Sequence, residues 1–248
     1  MNLRGKFPFG VTMCSPHSIG DLLSEVKLLL MDKSLAPRTI LCVNSHIYNL
    51  ACQDERLRHH LNTARIVAAD GMAIVWAARW LGHPIPERCN MTEAFHAFLC
   101  DETMPSSLGI LIGCSPAEAE AAANKVNCTS RHCRIVKACS GFLSEGEYRK
   151  IFEAHPQIDF VFLGMGSPKT ELIAEIAARQ CPQAVVWGIG GGTIRIEAGT
   201  MTEAPLIWRR LGLQWLHRLC SEPGALWRRY LLGNPLFVTR ILWLSWRK

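Results

Sequence analysis

The chain has 248 residues, and 49% of them are hydrophobic, which excludes a disordered protein because one large domain can bury a core of this size. The eleven cysteines include no CxxC pair, and this excludes the usual ligand spacing of a zinc ribbon. We recognise no secretory signal at the N-terminus, so we expect reduced thiols in a cytoplasmic protein.

The net charge of +6 at pH 7 is concentrated at the C-terminal end. Residues 205–248 hold eight Arg and Lys and one acidic residue, a charge of +7, so the remainder is close to neutral at −1. Five of the eight tryptophans also lie there. We therefore divide the chain into a core over residues 1–204 and a basic, aromatic appendage over residues 205–248.

The core alternates between predicted strands and predicted helices. The first 17 residues are expected to form a short strand or hairpin and a loop, and Ser18 is the expected cap of a helix to about Met31. Continuous apolar runs, typical of strands buried on both faces, occur at 39–43, 66–69, 108–112, 134–138, 160–163 and 184–189. Helices are predicted after 44–46, from 115–116, and at 72–81, 92–101, 144–154 and 168–180. This alternation predicts an α/β fold in which helices cover both faces of a parallel sheet.

A glycine turn follows the apolar run at 160–163. After Gly164 and Gly166 we expect Ser167 to be the N-cap of a helix with Pro168 in its first position. A helix N-terminus attracts phosphate, and Lys169 adds a full positive charge. We interpret the turn as the site that receives the diphosphate of an activated substrate. The alternative is that any α/β protein needs glycine at such a turn.

A second glycine turn, formed by Gly190, Gly191 and Gly192, follows the run at 184–189. It could wrap a phosphate or a sugar ring, or it could be a plain loop. We expect it to continue into Ile194 without opening a helix. Neither turn is a dinucleotide fingerprint, and no GxxxxGK[ST] motif is present, which disfavours an ATPase.

Polar residues follow several of the predicted strands, and in parallel sheets the ligand crevice lies outside the carboxyl ends of the strands. Asn44 and Asp70 occupy such positions, as do both glycine turns. Asp70 is a candidate general base, and its alternative role is a helix cap or Asx-turn. Arg88 could clamp a phosphate through its planar guanidinium, or be a solvated surface arginine.

In the appendage, Trp208, Leu211, Trp215 and Leu219 recur at helical spacing. No uninterrupted apolar run approaches the roughly 18 residues of a membrane-spanning helix. Basic amphipathic helices with tryptophan lie in the membrane interface. We therefore expect docking to an anionic membrane and its lipid-linked molecules through Arg209, Arg210, Trp215, Arg218, Trp227, Arg228 and Arg229. The alternatives are packing on the core, self-association into a homo-oligomer, and nucleic-acid binding, which alternating charged and apolar residues disfavour.

Several motifs in fixed order resemble the WecG/TagA/CpsF family of bacterial glycosyltransferases (glycosyltransferase family 26). The resemblance runs from about Thr39 to the C-terminus. It rests on VNSH at 43–46, ADGM at 69–72, the Glu87-Arg88 pair, GMGSPKTE at 164–171, EAP at 203–205, LGLQWLHRL at 211–219 and SEP at 221–223.

The resemblance implies a Rossmann-like core and a C-terminal membrane-docking appendage. It implies inverting transfer of a sugar from a UDP-sugar to a polyprenyl-diphosphate-linked sugar, without an essential metal or a cofactor. The setting would be the inner face of the cell membrane, in cell-surface or exopolysaccharide biosynthesis. Asp70 matches the base of the family. Asn44 and Arg88 match polar crevice positions of the family, and Gly164, Gly166, Lys169 and Glu171 match its glycine–proline–lysine signature. We expect these residues to bind the substrates together with Ser167, Thr170, Gly190, Gly191 and Gly192.

The chain departs from the family pattern at Cys42, Met91, Glu93, Thr170 and Glu203. These positions lie where a donor or acceptor sugar would be read. The donor could therefore carry a glucosyl-type sugar as well as a sugar of the N-acetylmannosamine type. Two further functions remain as alternatives, a nucleotide-cofactor enzyme of the NAD type and a non-enzymatic peripheral membrane adaptor.

Overall fold

Six parallel strands form the central sheet of the computed structural model, which describes residues 4–7, 11–83 and 85–246. A hairpin of β1 (Arg4–Phe7) and β2 (Val11–Cys14) precedes them. The sheet strands are β3 (Thr39–Val43), β4 (Ile66–Ala69), β5 (Ser107–Gly113), β6 (Cys133–Cys139), β7 (Phe160–Gly164) and β8 (Val185–Gly188). All six predicted sheet strands are confirmed, as is the hairpin.

Helices cover both faces of the sheet, as predicted. They are α1 (Ile19–Met31), α2 (Ser45–Ala51), α3 (Glu55–Thr63), α4 (Met72–Trp80), α5 (Met91–Cys100), α6 (Pro116–Thr129), α7 (Glu145–Glu153), α8 (Lys169–Gln180) and α9 (Gly191–Glu197). One buried cluster joins the sheet to α2, α3, α4, α7 and α8, and the other joins it to α1, α5, α6 and α9. Ser18, Ser115 and Ser144 cap α1, α6 and α7 through their side chains.

The strand order is β4–β3–β8–β7–β5–β6. The chain runs outward from β3 to β4 on one side and from β5 to β6 on the other, and it returns to place β7 and β8 between them. The direction of winding thus reverses at the centre of the sheet. In such sheets the ligand crevice lies where the order reverses, outside the carboxyl ends of the strands.

Three chain segments approach one another closely at this carboxyl edge, and glycine permits the approach. A side chain at Gly113 would overlap the carbonyl of Gly164, and a Cβ at Gly164 would lie 2.8 Å from the carbonyl oxygen of Gly190. Real Cβ atoms do not come this close to a backbone carbonyl. The turns after β7 and β8 are therefore held against each other by backbone contact.

The C-terminal segment consists of short helices and one longer interrupted helix. α10 (Leu206–Arg210) and α11 (Gln214–Ser221) are separated by Gly212, whose φ is +71°, so the helical spacing read from Trp208 to Leu219 spans two helices. α12 (Pro223–Trp227), a π-helical turn (Arg228–Leu232) and α13 (Gly233–Ser245) follow without a break. Within the described ranges, no helix combines the length and the hydropathy that crossing a bilayer requires.

α13 packs on α2 of the core. The rings of Tyr48 and Phe237 meet edge to face at 5.4 Å. The buried Asn49 donates from Nδ2 to the carbonyl oxygen of Gly233 at 2.7 Å and accepts from Arg240 Nη1 at 2.9 Å. The last helix is thus fastened to the core by an aromatic contact and a buried amide, while the boundary at 204/205 stays a prediction.

We expect Asn49→Leu to loosen this attachment. The substitution removes two side-chain hydrogen bonds, so the free energy of unfolding should fall by about 1–3 kcal/mol. Amide hydrogen exchange over 233–245 should accelerate as well. Asn124→Leu on the exposed face of α6 is the matched control. Unchanged exchange in 233–245 of the Asn49 variant would contradict the attachment.

Candidate active site

A pocket of about 570 Å³ opens at the carboxyl edge of the sheet. Its walls include Asn44 after β3, Asp70 after β4, Gly166 after β7, and the turn 190–192 after β8. Four segments that are far apart in the sequence therefore meet at one place. The pocket continues outward between α4 and α13 and reaches residues of α11 on another side.

Asp70 lies on the wall of this pocket at the end of β4. Its backbone N–H donates to the carbonyl oxygen of Val43 at 2.9 Å, and its Oδ1 accepts from Asn90 Nδ2 at 3.2 Å. Burial raises the pKa of the Asp70 carboxyl, and the guanidinium groups of Arg218, Arg88 and Arg229 oppose this only in part. A carboxylate with a raised pKa is a stronger base than an ordinary aspartate.

Asn90 and Gln214 complete a polar network that the sequence reading did not identify. The Nδ2 of Asn90 donates to both Asp70 and Gln214 Oε1, while its Oδ1 caps α5 by accepting from two backbone N–H groups. Arg88 Nη1 reaches the same Gln214 oxygen at 3.4 Å. In the sequence, only the position of Asn90 directly before a predicted helix could have indicated its role. Nothing local marked Gln214, which the C-terminal segment brings in.

Arg88 lines the pocket, but its charge is shared with a neighbour. Its Nη2 lies 2.7 Å from Glu93 Oε1, and Arg209 lies 3.5 Å from the same oxygen and 2.6 Å from Glu203. Two departures from the family pattern, Glu93 and Glu203, therefore meet on one arginine. Arg209, expected at a membrane surface, is instead held in this ion-pair cluster and is largely buried.

Asn44 and His46 lie together at the end of β3. Asn44 lines the pocket and also caps α2, because its Oδ1 accepts from the backbone N–H groups of His46 and Ile47 at 3.1 Å. Burial, and then the charge of Arg229, lower the pKa of His46 to about 4, so its imidazole is neutral at physiological pH. His46 therefore lines the pocket as a neutral side chain.

The turn after β7 differs from its predicted form. Ser167 is not the N-cap: its Oγ donates to Glu171 Oε1 at 2.6 Å, and Pro168 occupies the cap position before α8. The short Ser-Pro-Lys run favoured a serine cap, but the glutamate one turn later competes for the hydroxyl. Thr170 Oγ1 accepts from the backbone N–H of Met165 at 3.2 Å, which fixes the turn from the other side.

Lys169 lies outside the pocket, contrary to the expectation that it adds charge there. Its Nζ donates to the carbonyl oxygens of Gly141 and Leu143 at 2.9 and 3.0 Å and stands over the Tyr148 ring. These two carbonyl oxygens and the aromatic ring fix the position of the ammonium group. Lys169 therefore holds the loop after β6 against the start of α8.

Glu171 lines the pocket as a buried carboxyl. Only 3% of its surface is exposed, and burial raises its pKa above the ordinary value. Ser167 and Thr170 line the pocket beside it. The turn after β7 therefore presents hydroxyl and carboxyl oxygens to the pocket.

The turn after β8 also differs from its predicted form, because a helix does open there. Gly190 has a φ of +84°, and α9 begins at the next residue. The run of three glycines hides the helix from an analysis of apolar spacing. Thr193 Oγ1 lies 2.8 Å from Thr92 Oγ1, and one turn later Glu197 pairs with His96, so α9 is tied to α5 by two successive contacts.

Two arginines of the C-terminal segment lie in the pocket and not on an outer surface. Arg218 packs on Gly192 so closely that a Cβ there would lie 2.6 Å from Nη2, and Arg229 and Trp215 line the same pocket. The exposed members of the predicted membrane set are Trp227 and Arg228, which form a cation–π pair at 5.2 Å. The side chain of Arg210 is outside the part of the chain that the structure describes.

A second cavity of about 300 Å³ adjoins the first on the far side of the glycine turns. It includes Gly164 and Arg195, and it extends to residues of α11 and α12. Gly192, Arg218 and Arg229 line both cavities. Gly192, Arg218 and Arg229 thus stand between the first cavity, which Asp70 and Glu171 line, and the second cavity, which Glu222 lines.

The family comparison can now be placed beside this geometry. The family described as Glycosyl transferase WecG/TagA/CpsF family matches residues 11–248, which is nearly the whole chain and includes every pocket residue named above. The resemblance seen in the motifs is confirmed. The chain belongs to the WecG/TagA/CpsF family of glycosyltransferases.

Proposed function

We propose that this enzyme transfers a sugar, with inversion, from a UDP-sugar to a polyprenyl-diphosphate-linked sugar. The observation that carries the proposal is that Asp70, Arg218 and Arg229 line one pocket. Glycosyl transfer to a hydroxyl needs a group that removes the proton and a positive charge that receives the departing diphosphate. Both requirements are met by residues within a single cavity.

The two adjoining cavities suit two substrates. In an inverting displacement, the attacking hydroxyl and the leaving group stand on opposite sides of the anomeric carbon. The acceptor would occupy the larger cavity, beside Asp70, and the nucleotide the smaller one. The donor diphosphate would then lie at their common wall, on Gly192, Arg218 and Arg229.

The reaction follows from this arrangement. The Asp70 carboxylate takes the proton of the acceptor hydroxyl while the oxygen of that hydroxyl bonds to the anomeric carbon of the donor sugar. The bond from that carbon to the diphosphate oxygen breaks, and UDP leaves with the electron pair. Arg218 and Arg229 stabilise the charge that develops on the diphosphate. Asn90 orients the base through its hydrogen bond to Oδ1.

Association with the inner face of the cell membrane is part of the proposal. Trp227 and Arg228 are exposed on the C-terminal helix, together with Leu231 and Leu232, and Trp246 is 90% exposed at its end. Aromatic and basic side chains of this kind settle at an anionic membrane surface. This location would bring the enzyme to a lipid-linked acceptor of cell-surface or exopolysaccharide assembly.

Asp70→Asn should reduce turnover by about 10²–10⁴-fold, since the amide cannot accept the proton, and should leave UDP affinity unchanged. Because the pKa of Asp70 is raised above its ordinary 3.8, the wild-type kcat/KM should fall as the pH drops through this elevated value. Asp54→Asn is the control, because asparagine also caps α3. Turnover close to wild type would remove Asp70 from the mechanism.

Arg218→Gln should weaken UDP binding by about 10–100-fold, since a charge-assisted hydrogen bond contributes roughly 1.5–3 kcal/mol. Titration calorimetry with UDP measures this directly. Arg228→Gln removes a guanidinium of the same segment that faces away from both cavities, and it should bind UDP like the wild type. Equal affinity in the two variants would exclude Arg218 from the diphosphate site.

Arg228→Gln should in turn weaken binding to anionic vesicles by about fivefold, because one cation near such a surface contributes about 1 kcal/mol. Sedimentation of full-length protein with vesicles of anionic and neutral lipid measures the effect, which should diminish in high salt. Arg149→Gln on the exposed face of α7 is the control. If both variants bind equally, the C-terminal helix is not the docking surface.

A further inference from the structure

The larger pocket changes character along its length. Its inner end holds the polar side chains of Asp70, Arg88, Asn90 and Arg218. Its outer end runs between α4 and α13, and the residues of α4 that line it recur at helical spacing on one face: Met72, Ala73, Trp76, Ala77 and Trp80. Every one of these side chains is apolar.

α13 presents a matching face on the other side. The α13 residues that line the pocket also recur at helical spacing, and only the innermost is polar: Asn234, Phe237, Val238, Ile241 and Leu242. The Oδ1 of Asn234 accepts a hydrogen bond from Ser45 Oγ at 3.0 Å, close to the polar end. Two helices thus enclose an apolar groove that starts at the polar end of the pocket and leads away from it.

The outer end of this groove is open and hydrophobic. Trp76 is 54% exposed, Trp80 69% and Leu242 45%. Gly212 packs against Met72 and Trp76, so the corner between α10 and α11 closes one side of the opening. Contact of large aromatic side chains with water is unfavourable, so covering them with an apolar ligand would lower the free energy.

We propose that the groove between α4 and α13 binds the first part of the isoprenoid chain of the acceptor. This inference rests on the proposed function, since it places the acceptor hydroxyl at Asp70. It adds a binding site for the chain itself, with Trp76 and Trp80 on one wall and Val238 and Leu242 on the other. The remainder of the chain leaves through the open end toward the lipid phase.

The change in polarity along one continuous cavity identifies the occupant. A nucleotide or a free sugar has no apolar chain and would leave the groove walls between α4 and α13 largely in contact with water. A molecule with a charged head and an apolar chain matches both ends at once, because its diphosphate can lie near Arg88 at the polar end while its chain covers the tryptophans. A second copy of the protein would cover the tryptophans but would not extend to the polar end.

The test uses full-length protein and two sugar-free probes, farnesyl diphosphate and inorganic diphosphate, in titration calorimetry. Wild-type protein should bind farnesyl diphosphate at least about tenfold more tightly than inorganic diphosphate, since burying two methylene groups already contributes this much free energy. The preference should disappear in Trp80→Gln and in Leu242→Gln. Trp246→Gln, which removes an exposed tryptophan outside the groove, should retain it.

Three outcomes would overturn the inference. The first is equal affinity of the wild type for the two probes, and the second is a preference that survives in both groove variants. The third is a change of sedimentation coefficient in Trp80→Gln without a change in probe preference, which would make the groove an interface between two copies. If the protein transfers no sugar but still prefers farnesyl diphosphate, the proposed function is contradicted, whereas the assignment of the groove to the isoprenoid chain is supported.

Discussion

Direct backbone contact among three strand ends is the constraint on which the pocket depends. Gly113, Gly164 and Gly190 lie so close that a methyl group on the first or second would meet a carbonyl. The turns after β7 and β8 can therefore lie side by side at the reversal of strand order. Arg218 then covers Gly192 in the same manner. Because glycines occupy these positions, the backbone turns can pack closely, and the two cavities can lie on either side of them.

The strands and most helices could be predicted because they depend on local patterns. Continuous apolar runs marked all six sheet strands, and serine caps marked the starts of α1, α6 and α7. α3 went unnoticed because it has charged residues on most of its surface and buries only Leu57, His60 and Leu61. α9 was missed because its first two residues are glycines, which carry no apolar signal.

Topology predicts the candidate-site residues that directly follow a strand. Asn44 and Asp70 follow buried strands, so topology alone carries them to the pocket. Gln214 and Arg218 reach it through the folding back of a distant segment, which no local pattern encodes. Lys169 shows the opposite case: its sequence position suits a phosphate, yet two carbonyl oxygens and the ring of Tyr148 hold its ammonium group elsewhere.

Segments that are far apart in the sequence line the pocket, and this has a consequence for biosynthesis. The segment with Asn44 and Asp70 is synthesised well before the segment with Arg218, Arg229 and α13. Contacts between such distant segments close large loops and form slowly. A nascent chain therefore contains Asp70 long before it contains Arg218 and Arg229, and the pocket is complete only after α13 has been synthesised.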